Sequence, residues 1–176
     1  MDLTKLFEMQ KVLDERIVRE KGLEGRDTLP EKILALQVEL GECANEWRGF
    51  KFWSEDREPR SCVINREGET ADEYYKNPLL EEYVDCLHFI LSIGLEVGIK
   101  RFEYGSLNPQ YKESDIANQF MRVMDYTLGL RDDDYCLELI QSFVYLGEML
   151  GFTWDQIESA YYAKNEINHT RQAEGY

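Results

Sequence analysis

Paired cysteines, long apolar runs and an excess of positive charge are all missing from this sequence, and each absence removes a class of function. The four cysteines, Cys43, Cys62, Cys86 and Cys136, form no C-x-x-C pair. That excludes zinc-finger spacing and predicts reduced, buried thiols that act as small hydrophobes. The most apolar stretch, Tyr83 to Val97, is about 15 residues long and contains Asp85, His88 and Glu96, too short and too polar to span a membrane. The N-terminus, Met1-Asp2-Leu3-Thr4-Lys5, has no basic region or signal-like apolar run, which predicts a cytoplasmic protein. Against 35 acids stand 20 Lys and Arg, a net charge of -15. Such a chain repels a phosphate backbone, so neither nucleic acid nor an anionic membrane is an expected partner. No internal repeat, P-loop, G-x-G-x-x-G or nucleophile elbow is visible.

What is present is the material of one folded domain, residues 1–176, with 43% hydrophobic and 12% aromatic content. Apolar residues at Leu3, Leu6, Phe7, Leu13 and Ile17 keep the three-and-four spacing of an amphipathic helix, and Gln10 falls on the same stripe. A glutamine facing a core is either satisfied locally or reads a ligand's polar edge. Thr28-Leu29-Pro30-Glu31 reads as a capping box opening a second helix, with Ile33, Leu34, Ala44 and Trp47 on its apolar side. Phe50-Lys51-Phe52-Trp53 follows, and then a polar loop or lid to Asn77. The aromatics either seal the helix end or offer a planar base a stacking surface. Asn77-Pro78 starts a third helix to about Gly98, apolar almost all round and therefore central. Residues 99–112 read as a loop. A fourth helix, capped by Ser114 or Asp115, ends near Gly129; a fifth runs from Asp132–Asp134 to Leu150; a sixth opens at the capping box Thr153-Trp154-Asp155-Gln156. Six helices and no convincing strand make the class all-α.

The chemistry concentrates in two acidic pairs, Glu39 with Glu42 and Glu82 with Asp85. Three-residue spacing puts both members of a pair on one helix face. Two such helices side by side gather four acids, and like charges about 4 Å apart cost about 4 kcal/mol per pair at an effective dielectric near 20. Four converging acids therefore need a divalent cation or protonation. A solvated acidic face would interleave bases, and from Glu39 to Glu46 there is none. On the sixth helix the stripe Ile157, Ala160, Tyr161 continues as Lys164, Asn168 and Arg171. Those groups suit phosphate oxygens, although bases at a helix C-terminus also follow from its dipole.

Taken together, E-x-x-E on the second helix, Glu82-Tyr83-Val84-Asp85-Cys86-Leu87-His88-Phe89 on the third, and Tyr161-Tyr162-Ala163-Lys164 through Asn168, Arg171-Gln172 and Gly175-Tyr176 resemble the dimeric all-α dUTPases. Those enzymes belong to the wider MazG-like nucleoside triphosphate pyrophosphohydrolases. The resemblance implies magnesium, with manganese as a substitute, held by Glu39, Glu42, Glu82 and Asp85. Of the first, catalytic pair, Glu39 is the member preferred to orient or deprotonate the attacking water. It further implies Lys164, Asn168, Arg171 and Tyr176 on the phosphates, Gln10 on the uracil edge, Phe52 or Trp53 stacked on the base, and His88 with Phe89 at the deoxyribose. The substrate would be dUTP, the products dUMP and pyrophosphate, and the assembly a homodimer. Two departures stand out: the segment 55–77 is long for such a protein, and Asp14 stands where an Asn would pair more naturally with uracil.

Three other readings compete. A MazG-like enzyme for another nucleotide such as dCTP keeps the acidic site and changes the base contacts. A non-enzymatic helical dimer or binding module makes the acids a solvated face. A di-iron bundle would use Asp85-x-x-His88 and Glu166-x-x-His169, at the cost of a cationic wall, because Glu166 lies roughly opposite Lys164 and Arg171.

Overall fold

The computed structural model describes residues 2–66, 74–99, 101–102, 107–130 and 135–175. Its helices are α1 (Thr4–Lys21), α2 (Leu29–Trp47), α3 (Pro78–Glu96), α4 (Ile116–Gly129), α5 (Cys136–Met149) and α6 (Trp154–Ala173). The expected all-α domain is what the chain builds, 68% helical with almost no strand.

Local chemistry sets most of the ends. Asn77 accepts a hydrogen bond from the Leu80 amide at 3.0 Å, with Pro78 in the first turn of α3. Asp115 accepts from the Asn118 amide at 2.9 Å, and Thr153 and Gln156 close a full capping box on α6. Gly22 ends α1 in the left-handed conformation, φ 63°, that glycine adopts without strain. The capping box expected at Thr28 does not form. Asp27 instead accepts from the Leu29 amide at 3.0 Å, and Glu31 is drawn into an ion pair with Arg26.

Helix α3 lies at the centre, packed against α1, α2, α5 and α6. Eleven of its residues are buried, because a helix apolar on every side can satisfy itself only by being surrounded. Four differences from the sequence reading follow from packing. Leu34, expected on the apolar side of α2, is 62% exposed, and the buried ridge is Ile33, Leu36, Leu40 and Cys43. Cys62 is exposed, while the other three thiols are buried as expected, and none of the four is in a disulfide. Within the expected loop after α2, β1 (Val63–Ile64) pairs antiparallel with β2 (Tyr75–Lys76). The loop 99–112 includes a 3-10 turn, Pro109–Tyr111. The expected start of the fifth helix at Asp132–Asp134 lies outside the described residues. No helix among them is long and apolar enough to cross a membrane.

One close approach holds α3 to α5. Buried Tyr83 donates a hydrogen bond from its hydroxyl to the Phe143 carbonyl at 3.1 Å and stacks on the Phe143 ring at 4.2 Å. The hydroxyl fits because residue 147 is glycine: a Cβ there would lie 2.5 Å from it. Gly147→Ala is expected to lower the melting temperature. Overpacking costs about 1–3 kcal/mol, against about 0.5–1 kcal/mol returned by removing a mid-helix glycine. Thermal denaturation monitored by circular dichroism checks it, and an unchanged or higher midpoint would refute the close contact.

Candidate active site

The acids converge because α2 and α3 pack along a seam of small side chains. Cys43 follows Glu42 and Cys86 follows Asp85; both thiols are fully buried, and burial, then the neighbouring Cys43, pushes the Cys86 thiol pKa up. Small groups let two helices approach closely, and the carboxylates beside them then meet at the rim. Glu39, Glu42 and Glu82 each bring a carboxylate oxygen within 4.8 Å of the others. Glu42 is exposed, and Glu39 and Glu82 are half-buried.

The electrostatics record the crowding. Burial, then Asp85, Glu42 and Glu39, push the Glu82 carboxyl up to about 7 from an ordinary 4.5, with Lys164 acting against the shift. Burial, Asp85 and Glu42 likewise raise Glu39. Among the described residues no ion pair neutralises Glu39, Glu42 or Glu82. The fourth acid, Asp85, is claimed by Lys164, whose Nζ donates to its Oδ2 at 2.5 Å. The two charges expected to serve metal and phosphate separately are thus joined in this structure.

One helical turn along α3 from Asp85, the His88 ring stacks on Tyr161 at 4.2 Å. Asp85 opposite Lys164 and His88 opposite Tyr161 fix α3 and α6 as antiparallel neighbours. His88 is buried, and burial holds its pKa down near 3, so the ring is neutral. The Gln10 side chain is enclosed by protein groups. Its Nε2 donates to Asp14 Oδ1 at 2.7 Å, and its Oε1 lies 2.8 Å from both the Tyr161 hydroxyl and His88 Nδ1. Asp14 also accepts from Ser92 at 2.6 Å, and burial raises its pKa. Gln10, Asp14, Lys32, His88, Phe89 and Ser92 are among the groups lining a cavity of about 240 Å³ between α1 and α3.

Of the other residues expected to act, Asn168 is half-buried and Arg171 exposed on α6, and Tyr176 lies outside the described residues. Phe52 and Trp53 are 81% and 66% exposed, pack edge to face on each other, and do not line that cavity. Tyr161 and Ser92 were not singled out by sequence reasoning as site residues. Their signal was spacing, since Ser92 is one turn from His88 and Tyr161 one turn from Lys164. The di-iron arrangement does not assemble. Glu166 is exposed, His169 faces Arg16, which donates to its carbonyl at 2.9 Å, and the acid cluster found among the described residues contains no histidine.

Three clustered carboxylates beside a lysine-bound fourth, with a partly open, largely apolar cavity edged by Gln10, Asp14 and His88 one turn away, can hold a hard cation and admit a small ligand. No curated protein matches this sequence. A family profile described as dUTPase matches residues 2–176, essentially the whole chain. The chain therefore belongs to the dUTPase family and is a dUTP diphosphatase.

Proposed function

We propose that hydrolysis of dUTP to dUMP and pyrophosphate here depends on magnesium held by Glu39, Glu42, Glu82 and Asp85, with manganese as a substitute. The observation that carries the reading is the cluster itself: three carboxylates within 4.8 Å, one held near pKa 7 by burial and then by like charge. A hard-oxygen donor set of this kind suits a small divalent cation. When bound, the metal would offset the negative charge of the triphosphate and lower the pKa of a coordinated water.

The chain's own groups do the rest. Glu39, raised by burial and its neighbours, takes the proton from the attacking water as that oxygen bonds to phosphorus and the α–β phosphoanhydride bridge breaks, pyrophosphate leaving. Lys164 exchanges part of its bond with Asp85 for a phosphate oxygen. The antiparallel register continues toward Asn168 and Arg171, which present an amide and a guanidinium to the pyrophosphate portion. Tyr176 belongs to the same set by resemblance. The nucleoside lies toward His88, Phe89 and the Gln10 end of the cavity, and Phe52 or Trp53 covers the base. Exposed apolar groups on α4 and α5, among them Met121, Leu128 and Leu137, support assembly as a homodimer, and a cytoplasmic location fits the nucleotide chemistry.

Turnover of dUTP, dCTP, dTTP, dATP, dGTP and UTP with magnesium, followed by pyrophosphate release, tests the specificity. The expected result is selective dUTP turnover that stops with chelator and returns with magnesium or manganese. Preference for dCTP would keep the acidic site and transfer the base contacts to the MazG-like alternative. Turnover unaffected by chelator would remove the metal from the proposal.

A further inference from the structure

Gln10 sits on the apolar stripe of α1, and protein partners take its amide oxygen and one of its amide N–H donors. A carboxylate accepts only, so Gln10 must present Nε2 to Asp14 and Oε1 to the opposite side. An amide oxygen also accepts only. The Tyr161 hydroxyl therefore donates to it, and so does His88 Nδ1, both at 2.8 Å. A neutral imidazole carries one proton, so placing it on Nδ1 leaves Nε2 a bare lone pair. His88 Nε2 is buried and has no hydrogen-bond partner. The residue is 6% exposed and lines the cavity between α1 and α3.

We propose that Gln10 is a positioning residue that locks His88 in its Nδ1–H tautomer, so that Nε2 accepts a hydrogen bond from a donor on the nucleoside of the substrate. This rests on the nucleoside being held at the His88 end of the site. The nucleoside of dUTP carries two donors, the base N3–H and the 3′-hydroxyl, and both meet the same requirement. The chain Ser92, Asp14, Gln10, His88, with Tyr161 stacked on the imidazole and donating to Gln10, fixes ring and proton before substrate arrives. Had the proton been on Nε2, the same ring would repel both donors. A buried acceptor without a partner is costly in the free protein, and a ligand donor removes that cost on binding.

Long-range proton–nitrogen correlation spectra of the free protein test the tautomer directly, with His169→Gln assigning the two histidines. The expected spectrum has His88 protonated on Nδ1 and unprotonated on Nε2; protonation on Nε2 overturns the proposal whatever the substrate proves to be. Gln10→Ala should let the proton redistribute and raise KM for dUTP about tenfold while kcat changes less than about threefold. In wild type, either N3-methyl-dUTP or 2′,3′-dideoxy-UTP should show a matching rise in KM, which identifies the donor, and Gln10→Ala should level that difference. A rise in KM with the tautomer unchanged would make Gln10 itself the ligand contact and end the positioning role. Wild-type turnover indifferent to both analogues would remove the nucleoside from His88 while leaving the tautomer measurement standing.

Discussion

Glu39→Gln is expected to lower dUTP turnover about 10²–10⁴-fold, the range over which a positioned general base contributes, without lowering the melting temperature. The two halves of the expectation have one cause. In the folded protein Glu39 is half-buried, and burial, then Asp85 and Glu42, push its pKa upward; its charge is tolerated, not stabilising. An amide of the same shape keeps the packing, relieves the repulsion and cannot take a proton from water. Function and stability thus pull in opposite directions at this position, as they do wherever like charges are assembled for chemistry. Glu24→Gln, in the exposed turn after α1, serves as the control and should leave both quantities unchanged. Steady-state pyrophosphate release and a thermal melt on the same preparations are sufficient. Retention of wild-type turnover in Glu39→Gln would remove the acidic cluster from the mechanism.

The second large effect is expected at Glu82, where pH, metal and stability are linked. Its carboxyl is raised from 4.5 to about 7. Between those values the folded protein holds a proton that the unfolded chain releases. The stability it contributes is therefore complete below about pH 4.5 and is lost as pH rises through about 7. His88 acts with the opposite sign at lower pH. Its pKa is depressed from 6.5 to about 3, so acidification below about 6.5 favours the unfolded chain, which can take the proton. Metal-free protein should accordingly lose stability between about pH 6.5 and 8, where the fall from Glu82 outweighs the residual rise from His88, which is complete by about pH 7.5. Magnesium competes with the Glu82 proton and should raise the melting temperature more at about pH 8 than at about pH 6. Glu82→Gln should flatten the fall above pH 6.5, abolish most of the magnesium-induced stabilisation, and lower turnover by more than the roughly 10–100-fold typical of an outer partner of a metal. Melts in chelator and in magnesium at the two pH values decide the matter. An undiminished fall in Glu82→Gln would assign the pH dependence to other groups and sink the linkage argued here.

What the sequence determined by itself was local. Caps at Asn77, Asp115 and Thr153, the apolar period of each helix, and the three-residue spacing of the acids depend on atoms within one or two turns, so they can be read along the chain. The convergence of Glu39 and Glu42 with Glu82 was also legible, because two acidic stripes on otherwise apolar helices meet if those helices pack on their apolar faces. Periodicity was weaker at the edges of each stripe: Leu34 belongs to the α2 period yet is exposed, since the buried ridge is decided by which neighbour arrives. Tertiary structure alone decided partnership. Gln10 meets His88 across 78 positions and Tyr161 across 151, and Lys164 reaches Asp85 across 79. Those pairings depend on the relative register of α1, α3 and α6. A shift of one helical turn, about 5.4 Å, would have left Gln10 free to face a ligand and Asp85 free to join the other acids. The residue types announced a polar site, and the packing of three helices chose which of its groups are engaged by one another and which remain for the substrate.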